Sequence, residues 1–390
     1  MSPLHQTAAA TAVLVLAALT GCGSASDDGS GPTDAADAAT SPATAPVAYT
    51  YDGGVQVLDG ESLEPQGDPI ALDGFNRINP AGDDRHLFVS TSAGFTLLDA
   101  AEAAMTDTTY DGAEPGHVVR HAGRTVLFTD GTGEVRVLDS DDPAGDAESI
   151  PSPEAHHGVA IELANGELVT TIGNAESRSG VRVLDEDREE IARNEQCPGV
   201  HGEATAEDET VVVGCEDGLL VYRDGELTKV QSPDAYGRIG NQAGSDESPV
   251  VLGDYKTDPD AELERPTRVS LTDTSTGELR LLDLGTTYTF RSLGRGPDGE
   301  GLVLGADGRL HVIDPETAEV TASHPVTAPW TEPIDWQQPR PALFVRGEEA
   351  FVTEPASQEL HRLDLTTGEV VDTASLEHVP NEISGVVAAS

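Results

Sequence analysis

The stretch Val135-Arg136-Val137-Leu138-Asp139 alternates apolar and polar side chains and ends in an aspartate. Such alternation is typical of a β-strand, because successive side chains of a strand point to opposite faces of the sheet. Related phrases recur along the chain, with their last positions 38 to 50 residues apart. The eight copies end at Asp59, Asp99, Asp139, Asp185, Arg223, Asp273, Asp314 and Asp364. The chain is therefore built from a repeated strand unit.

Most copies follow a second short apolar run, and several lead through a Thr-Gly-Glu turn into an outer strand. Repeats of about 40–45 residues made only of strands are the signature of β-propeller blades. We predict an all-β fold over residues 47–390, a β-propeller of about eight four-stranded blades. Seven blades are the alternative, because residues 325–341 are irregular. The first copy lacks an inner strand, and residues 381–387 are predicted to supply it and close the ring.

The first 46 residues differ from the repeats. Residues 1–22 contain no Asp, Glu, Lys or Arg, and an apolar run at 8–19 leads into Leu19-Thr20-Gly21-Cys22. A run of about 12 residues is too short to span a bilayer but suits the core of a signal peptide. The Leu-x-Gly-Cys end resembles a bacterial lipobox, so we predict a lipoprotein signal peptide with Cys22 as the lipidated residue.

Residues 23–46 hold no large apolar side chain and are predicted to form a flexible acidic tether. The protein is thus expected outside the cytoplasm, lipid-anchored to the outer face of the cell membrane. The 390 residues include 70 acidic and 22 basic side chains, a formal net charge of −48. Such a surface repels nucleic acid and anionic lipid, so we expect neither as a direct partner. We expect a monomer.

Two cysteines remain in the repeat region, Cys197 and Cys215. An oxidising compartment favours a disulfide between them. A zinc site built on these cysteines is the alternative, and the lack of a third cysteine nearby argues against it.

Three consecutive blades open their inner strands with histidine followed by small or apolar residues. The phrases are Gly116-His117-Val118-Val119, His156-His157-Gly158-Val159-Ala160 and Val200-His201-Gly202-Glu203-Ala204. All inner strands of a propeller begin at the same end of its channel, so we expect the three imidazoles to lie side by side at one mouth. Glu203 lies two residues after His201, and His121 lies four after His117, so strand pleating places each pair on one face.

Three imidazoles and a carboxylate suit tetrahedral Zn²⁺. Cu²⁺ stays open, since imidazole-rich sites generally bind it more tightly. The predicted metal ligands are His117, His157, His201 and Glu203, with His121 and His156 as secondary candidates.

The sequence contains no Gly-x-Ser-x-Gly elbow, no phosphate-cradling glycine loop and no His-Glu-x-x-His motif. We therefore predict a protein without catalytic activity. One alternative is a lactonase-like propeller hydrolase that uses a metal-bound water at the same site. A metal-free interaction scaffold is the other.

Several of these phrases together resemble the AztD-type zinc metallochaperones. They are Glu114-Pro115-Gly116-His117, the His156 to Ala160 phrase, Cys197-Pro198-Gly199-Val200-His201-Gly202-Glu203-Ala204, Gly214-Cys215-Glu216-Asp217-Gly218 and Pro380-Asn381-Glu382-Ile383. The resemblance implies an extracytoplasmic β-propeller that binds zinc and hands it to the solute-binding protein of a zinc ABC transporter. It matches His117, His157 and His201 with the family's histidines, and Cys197 and Cys215 with its cysteine pair. Members of such systems often carry a histidine-rich flexible segment, and residues 23–46 contain no histidine.

Overall fold

The computed structural model describes residues 42–387, in which antiparallel strands form eight sheets. In chain order the first fifteen strands are β1 (Val47–Tyr51), β2 (Gly54–Leu58), β3 (Pro65–Ala71), β4 (Arg77–Pro80), β5 (His86–Thr91), β6 (Gly94–Asp99), β7 (Ala104–Asp111), β8 (Pro115–His121), β9 (Arg124–Thr129), β10 (Glu134–Asp139), β11 (Glu148–Pro151), β12 (Ala160–Glu162), β13 (Leu168–Gly173), β14 (Arg178–Leu184) and β15 (Glu190–Asn194). The remaining strands are β16 (His201–Ala206), β17 (Thr210–Cys215), β18 (Asp217–Arg223), β19 (Glu226–Gln231), β20 (Gly237–Arg238), β21 (Gln242–Ser245), β22 (Ser248–Asp254), β23 (Arg268–Asp273), β24 (Glu278–Asp283), β25 (Leu293–Arg295), β26 (Gly301–Leu304), β27 (Arg309–Asp314), β28 (Glu319–Pro325), β29 (Leu343–Arg346), β30 (Glu349–Glu354), β31 (Glu359–Asp364), β32 (Glu369–Ser375) and β33 (Ile383–Gly385).

Each sheet is one propeller blade of four strands, and blade 5 carries β20 as an additional short strand beside β18. Blades 2 to 8 use consecutive strands, from β4–β7 in blade 2 to β29–β32 in blade 8. The predicted β-propeller is confirmed, and it has eight blades rather than seven. Within the described residues the single helical element is the short 3₁₀ turn Glu207–Glu209. No helix in this part of the chain is long and apolar enough to cross a membrane.

The recurring phrase forms the third strand of every blade. In blade 3, Val135 and Val137 of β10 are 1 % and 6 % exposed. They belong to a buried cluster that also contains Leu168 and Leu184 of blade 4. Each such apolar side chain contributes about 1.5–3 kcal/mol when it leaves water. The core therefore lies between neighbouring blades, and each blade depends on the next for its burial.

The ring closes between the two ends of the described chain. Strand β33 pairs with β1, with Val47 opposite Gly385 and Tyr49 opposite Ile383, which confirms the predicted C-terminal closing strand. Arg291, 9 % exposed, lies between blades and donates to the backbone oxygen of Asn381 at 3.0 Å. Its second terminal nitrogen lies 3.0 Å from the Glu382 carboxylate. These buried contacts anchor the segment that leads into the closing strand.

Residues 42–46, the last part of the predicted tether, lie against the first two blades. The Ala43 N–H donates to the Ala101 carbonyl at 2.9 Å, and Thr44 N–H donates to the Asp59 carboxylate at 2.6 Å. The predicted signal peptide 1–22, its Cys22 and tether residues 23–41 lie outside the described residues.

Removing residues 381–390 is expected to lower the free energy of unfolding by about 3 kcal/mol or more. The deletion removes the closing strand and leaves the buried Arg291 guanidinium without its partners. Urea denaturation followed by fluorescence measures the change, and a chain ending at Val387 serves as the control. Equal denaturation midpoints for the two truncated proteins would show that the closing strand does not stabilise the ring.

Candidate metal centre

The three predicted histidines lie at corresponding places in blades 3, 4 and 5. His117 is the third residue of β8, His157 precedes β12 by three residues, and His201 is the first residue of β16. These are the beginnings of three neighbouring inner strands. The register of the repeat therefore places three imidazoles at one mouth of the channel, as the sequence predicts.

The three rings surround a common point. Their centroids are 5.2 Å apart for His117 and His157, 5.1 Å for His157 and His201, and 5.7 Å for His117 and His201. One potential ligand nitrogen from each ring lies within 4.8 Å of the other two. Tetrahedral zinc at about 2.0–2.1 Å from each nitrogen needs spacings of roughly 3.4 Å, so small ring movements suffice. The role of these histidines as ligands stays a prediction.

Two of the imidazoles face a carboxylate through Nδ1. His157 Nδ1 lies 2.5 Å from Asp130 Oδ2, and His117 Nδ1 lies 3.3 Å from Glu203 Oε2. An ionised carboxylate only accepts hydrogen bonds, so the contact with Asp130 places the proton of a neutral His157 ring on Nδ1. Nε2 then keeps its lone pair for a metal ion. Such outer partners fix the tautomer and orientation of metal-binding histidines.

His201 has a different outer partner. Its Nδ1 donates to the Gly240 carbonyl at 2.6 Å, and this bond also leaves Nε2 as the free donor atom. Burial lowers the pKa of His201 well below its ordinary value of 6.5, and the nearby His117 adds to the shift. The ring is therefore neutral at neutral pH and ready to bind a cation without releasing a proton.

A disulfide holds the segment that leads into His201. Cys197 and Cys215 are bonded, with their Cα atoms 4.9 Å apart, which confirms the expected disulfide. The Cys197 N–H also donates to Ser179 O at 3.0 Å in the neighbouring blade. Closing a loop of 18 residues stabilises the fold by about 3 kcal/mol in the chain-entropy model. The chain segment that leads into His201 is thus held by a covalent bond and by a hydrogen bond to the neighbouring blade.

Glu203 lies beside His117 and outside the group of three imidazole nitrogens. The sheet register shifts between His201 and Glu203, and the intervening Gly202 has φ +71°. A side chain at Gly202 would clash, because its Cβ would lie 2.6 Å from the Gly240 backbone oxygen. This bulge breaks the simple alternation that predicted a shared face. Glu203 Oε2 is buried and makes no hydrogen bond, and it lies 3.3 Å from His117 Nδ1.

The two secondary candidates lie apart from this group. His121 is at the far end of β8, about 13 Å along the strand from His117, and its Nε2 lies 3.0 Å from Glu209 Oε1. His156 is 4 % exposed, and its ring nitrogens contact the Glu154 carbonyl at 2.9 Å and the Thr171 hydroxyl at 3.0 Å. Both rings are thus engaged in bonds of their own.

A second cluster, Glu354, Glu359 and His361, also has metal-ligand spacing. His361 uses Nε2 toward Glu354 at 3.2 Å and Nδ1 toward the Thr373 hydroxyl at 3.1 Å. His311 in the preceding blade has the same kind of contacts, with Asp307 at 3.2 Å and the Ser323 hydroxyl at 3.1 Å. A pattern repeated in two blades indicates a structural role within the repeat.

Asp130 is a site residue that the sequence analysis did not identify. It directly follows β9, at the end of the second strand of blade 3, and also accepts from the Gly158 N–H at 3.3 Å. The repeat register predicts that the end of this strand lies beside the start of the next inner strand, and this is the signal that could have identified Asp130. The chain has too many acidic residues for composition alone to single it out.

The comparisons with known proteins agree with this fold. No family model matches the chain. The curated zinc chaperone AztD of Citrobacter koseri is 27 % identical over 289 residues, which cover 70 % of this chain and 66 % of that protein. The match thus spans slightly less than two thirds of the relative's length. The resemblance expected from the sequence is confirmed, and the relative is a chaperone by name rather than an enzyme, as expected for a protein without catalytic activity.

Solved structures show the same architecture. The apo AztD structure from Citrobacter koseri superposes with a TM-score of 0.74 at 23 % identity, covering 88 % of this chain and 99 % of that one. A second AztD crystal structure from the same organism gives a TM-score of 0.74 at 22 % identity, with coverages of 88 % and 98 %. The dihydro-haem d1 dehydrogenase NirN follows with a TM-score of 0.60 at 14 % identity, covering 89 % and 77 %. At these identities the structural likeness shows the fold alone.

Replacing Asp130 by asparagine is expected to weaken zinc binding about tenfold. The amide can still accept a hydrogen bond, but it lacks the charge that fixes the Nδ1–H tautomer of His157. Competition with a chromophoric chelator measures the affinity. The control is Asp139→Asn, since Asp139 is an exposed carboxylate in the same blade. An unchanged affinity in Asp130→Asn would exclude Asp130 as an outer partner of a zinc ligand.

Proposed function

We propose that this protein is a zinc metallochaperone that binds Zn²⁺ at the channel mouth and delivers it to the solute-binding protein of a zinc ABC transporter. The observation that carries the proposal is the convergence of His117, His157 and His201, whose potential ligand nitrogens lie within 4.8 Å of one another. Nδ1 of His157 and Nδ1 of His201 each contact an oxygen acceptor, so Nε2 of both rings remains available as a metal ligand. Neutral imidazole donors of this kind suit zinc.

The proposed place of action is outside the cytoplasm. The Cys197–Cys215 disulfide supports an oxidising compartment. The apolar run at 8–19 and the Leu-x-Gly-Cys sequence that ends at Cys22 support secretion and attachment through a lipid. A lipid anchor would keep the carrier near a membrane transporter without any membrane-spanning segment.

Delivery to a transport component is supported by the position of the histidines. The His157 side chain is 41 % exposed at the mouth, whereas the His117 side chain is 17 % exposed. An approaching donor group from another protein therefore meets a solvent-accessible ligand first. The name of the curated relative, a zinc chaperone, supports the same role.

Wild-type protein is expected to bind one zinc ion tightly, and His117→Ala and His201→Ala are each expected to weaken binding by about 100-fold or more. Each variant removes one of three imidazole donors. Chelator competition measures stoichiometry and affinity, and His324→Ala on the outer strand β28 is the matched control. Weak binding of equal strength in all four proteins would contradict the proposed site.

Zinc-loaded protein is expected to transfer its metal to the apo zinc solute-binding protein of the same organism faster than it loses zinc to a small chelator. Direct ligand exchange avoids the release of a free ion. Stopped-flow mixing with a zinc-sensitive fluorophore measures both rates. Equal rates with the recipient and with the chelator would show release into solution and would contradict delivery by contact.

A further inference from the structure

A buried carboxylate lies behind the peptide that orients His201. Asp254 ends strand β22 of blade 6 and is 2 % exposed. Its Oδ1 accepts from the N–H of Gly240 at 2.6 Å and from the N–H of Asn241 at 3.1 Å. Its Oδ2 accepts from the Asn241 side-chain amide at 2.9 Å. The Asp254 N–H in turn donates to the Asn241 carbonyl at 3.0 Å. Asp254 therefore fixes both residues that precede inner strand β21.

One of these peptide groups is shared with His201. The carbonyl of Gly240 and the N–H of Asn241 belong to the same planar peptide unit. The N–H of this unit donates a hydrogen bond to Asp254. The carbonyl of the same unit accepts a hydrogen bond from His201 Nδ1–H at 2.6 Å. Hydrogen bonds in such a chain polarise one another, so a carboxylate on the N–H side makes the carbonyl a stronger acceptor. The Asp254 carboxylate thus acts on the His201 imidazole by polarising the one peptide unit that lies between them.

This completes a pattern across the three histidines. His157 Nδ1 is hydrogen-bonded to the Asp130 carboxylate, and the Glu203 carboxylate lies 3.3 Å from His117 Nδ1. His201 has a carbonyl there, and a carboxylate stands one peptide further away. Outer-shell carboxylates raise the basicity of metal-binding imidazoles and hold their rings in place.

We propose that Asp254 is a positioning residue of the metal centre, which orients His201 and strengthens it as a ligand through the Gly240–Asn241 peptide. The inference rests on the proposed function, since it assigns a role toward the metal bound by the three histidines. It connects blade 6 to a site whose ligands come from blades 3 to 5.

The test is the zinc affinity of the full chain carrying Asp254→Asn, measured by chelator competition. We expect binding about tenfold weaker than wild type, at the lower end of the range for outer-shell changes. The matched control is Asp273→Asn in the same blade. Asp273 also accepts backbone N–H groups, from Ser275 at 2.8 Å and Thr276 at 3.2 Å, but lies at the end of β23, opposite the mouth. We expect wild-type affinity for this control.

Double variants distinguish a positioning role of Asp254 toward His201 from a general effect of Asp254 on the stability of the fold. In a His117→Ala background, Asp254→Asn should still weaken zinc binding about tenfold, because His201 remains. In a His201→Ala background, it should have no further effect. An equal loss in both backgrounds, or no loss in the wild-type background, overturns the proposal.

If Asp254→Asn does not fold, Asn241→Ala removes one contact of the carboxylate and should weaken zinc binding two- to threefold. An unchanged affinity of Asn241→Ala then overturns the proposal.

The absorption spectrum of bound Co²⁺ gives a second readout. Asp254→Asn should keep the bands of a tetrahedral site but shift them, whereas Asp273→Asn should give the wild-type spectrum. Identical spectra for all three proteins would contradict an effect on His201. Failure of wild-type protein to bind either metal would instead overturn the proposed function itself.

Discussion

The candidate metal centre depends on one constraint, the common direction of the inner strands around the ring. Antiparallel blades joined in sequence order return the chain to the same end of the channel before each new inner strand. A residue type repeated at that place in the repeat becomes a set of neighbours in space. His117, His157 and His201 belong to different sheets and are at least 40 residues apart in sequence. Closure of the ring by β33 and packing between blades bring their rings to 5.1–5.7 Å from one another.

This constraint also explains how much the sequence could predict. Alternating apolar residues at a regular spacing determine strand, blade and ring, because each step relies on local pattern and on burial between neighbours. The closing strand followed from a first repeat without an inner strand. The histidines followed because their positions agree in three consecutive repeats. Cys197 and Cys215 followed from their number and compartment, since two cysteines allow only one intramolecular pairing.

The remaining details arise where the backbone departs from a regular strand. Gly202 forms a bulge with φ +71°, so counting by twos from His201 does not predict where Glu203 points. His121 lies four residues further along β8 than His117, toward the other end of the channel, and there its ring contacts Glu209. Asp130 follows the second strand of blade 3 and Asp254 ends the second strand of blade 6, and the packing of one blade against the next places each of them behind a histidine. The repeat register gives their positions at strand ends, but it does not show which of the many acidic residues contacts a histidine.

Charge relates the site to the rest of the surface. A chain with a net charge of −48 attracts cations over long distances, but that field has no selectivity among them. Selectivity requires donors of the right type, and imidazoles held in one tautomer would supply it at the proposed site. Asp130 contacts Nδ1 of His157, and Glu203 lies 3.3 Å from Nδ1 of His117, so these two carboxylates act locally. In the proposed site binding strength and access fall to different groups, because a carboxylate behind a ligand would strengthen metal binding, whereas the exposed edge of His157 would give another protein access to the metal.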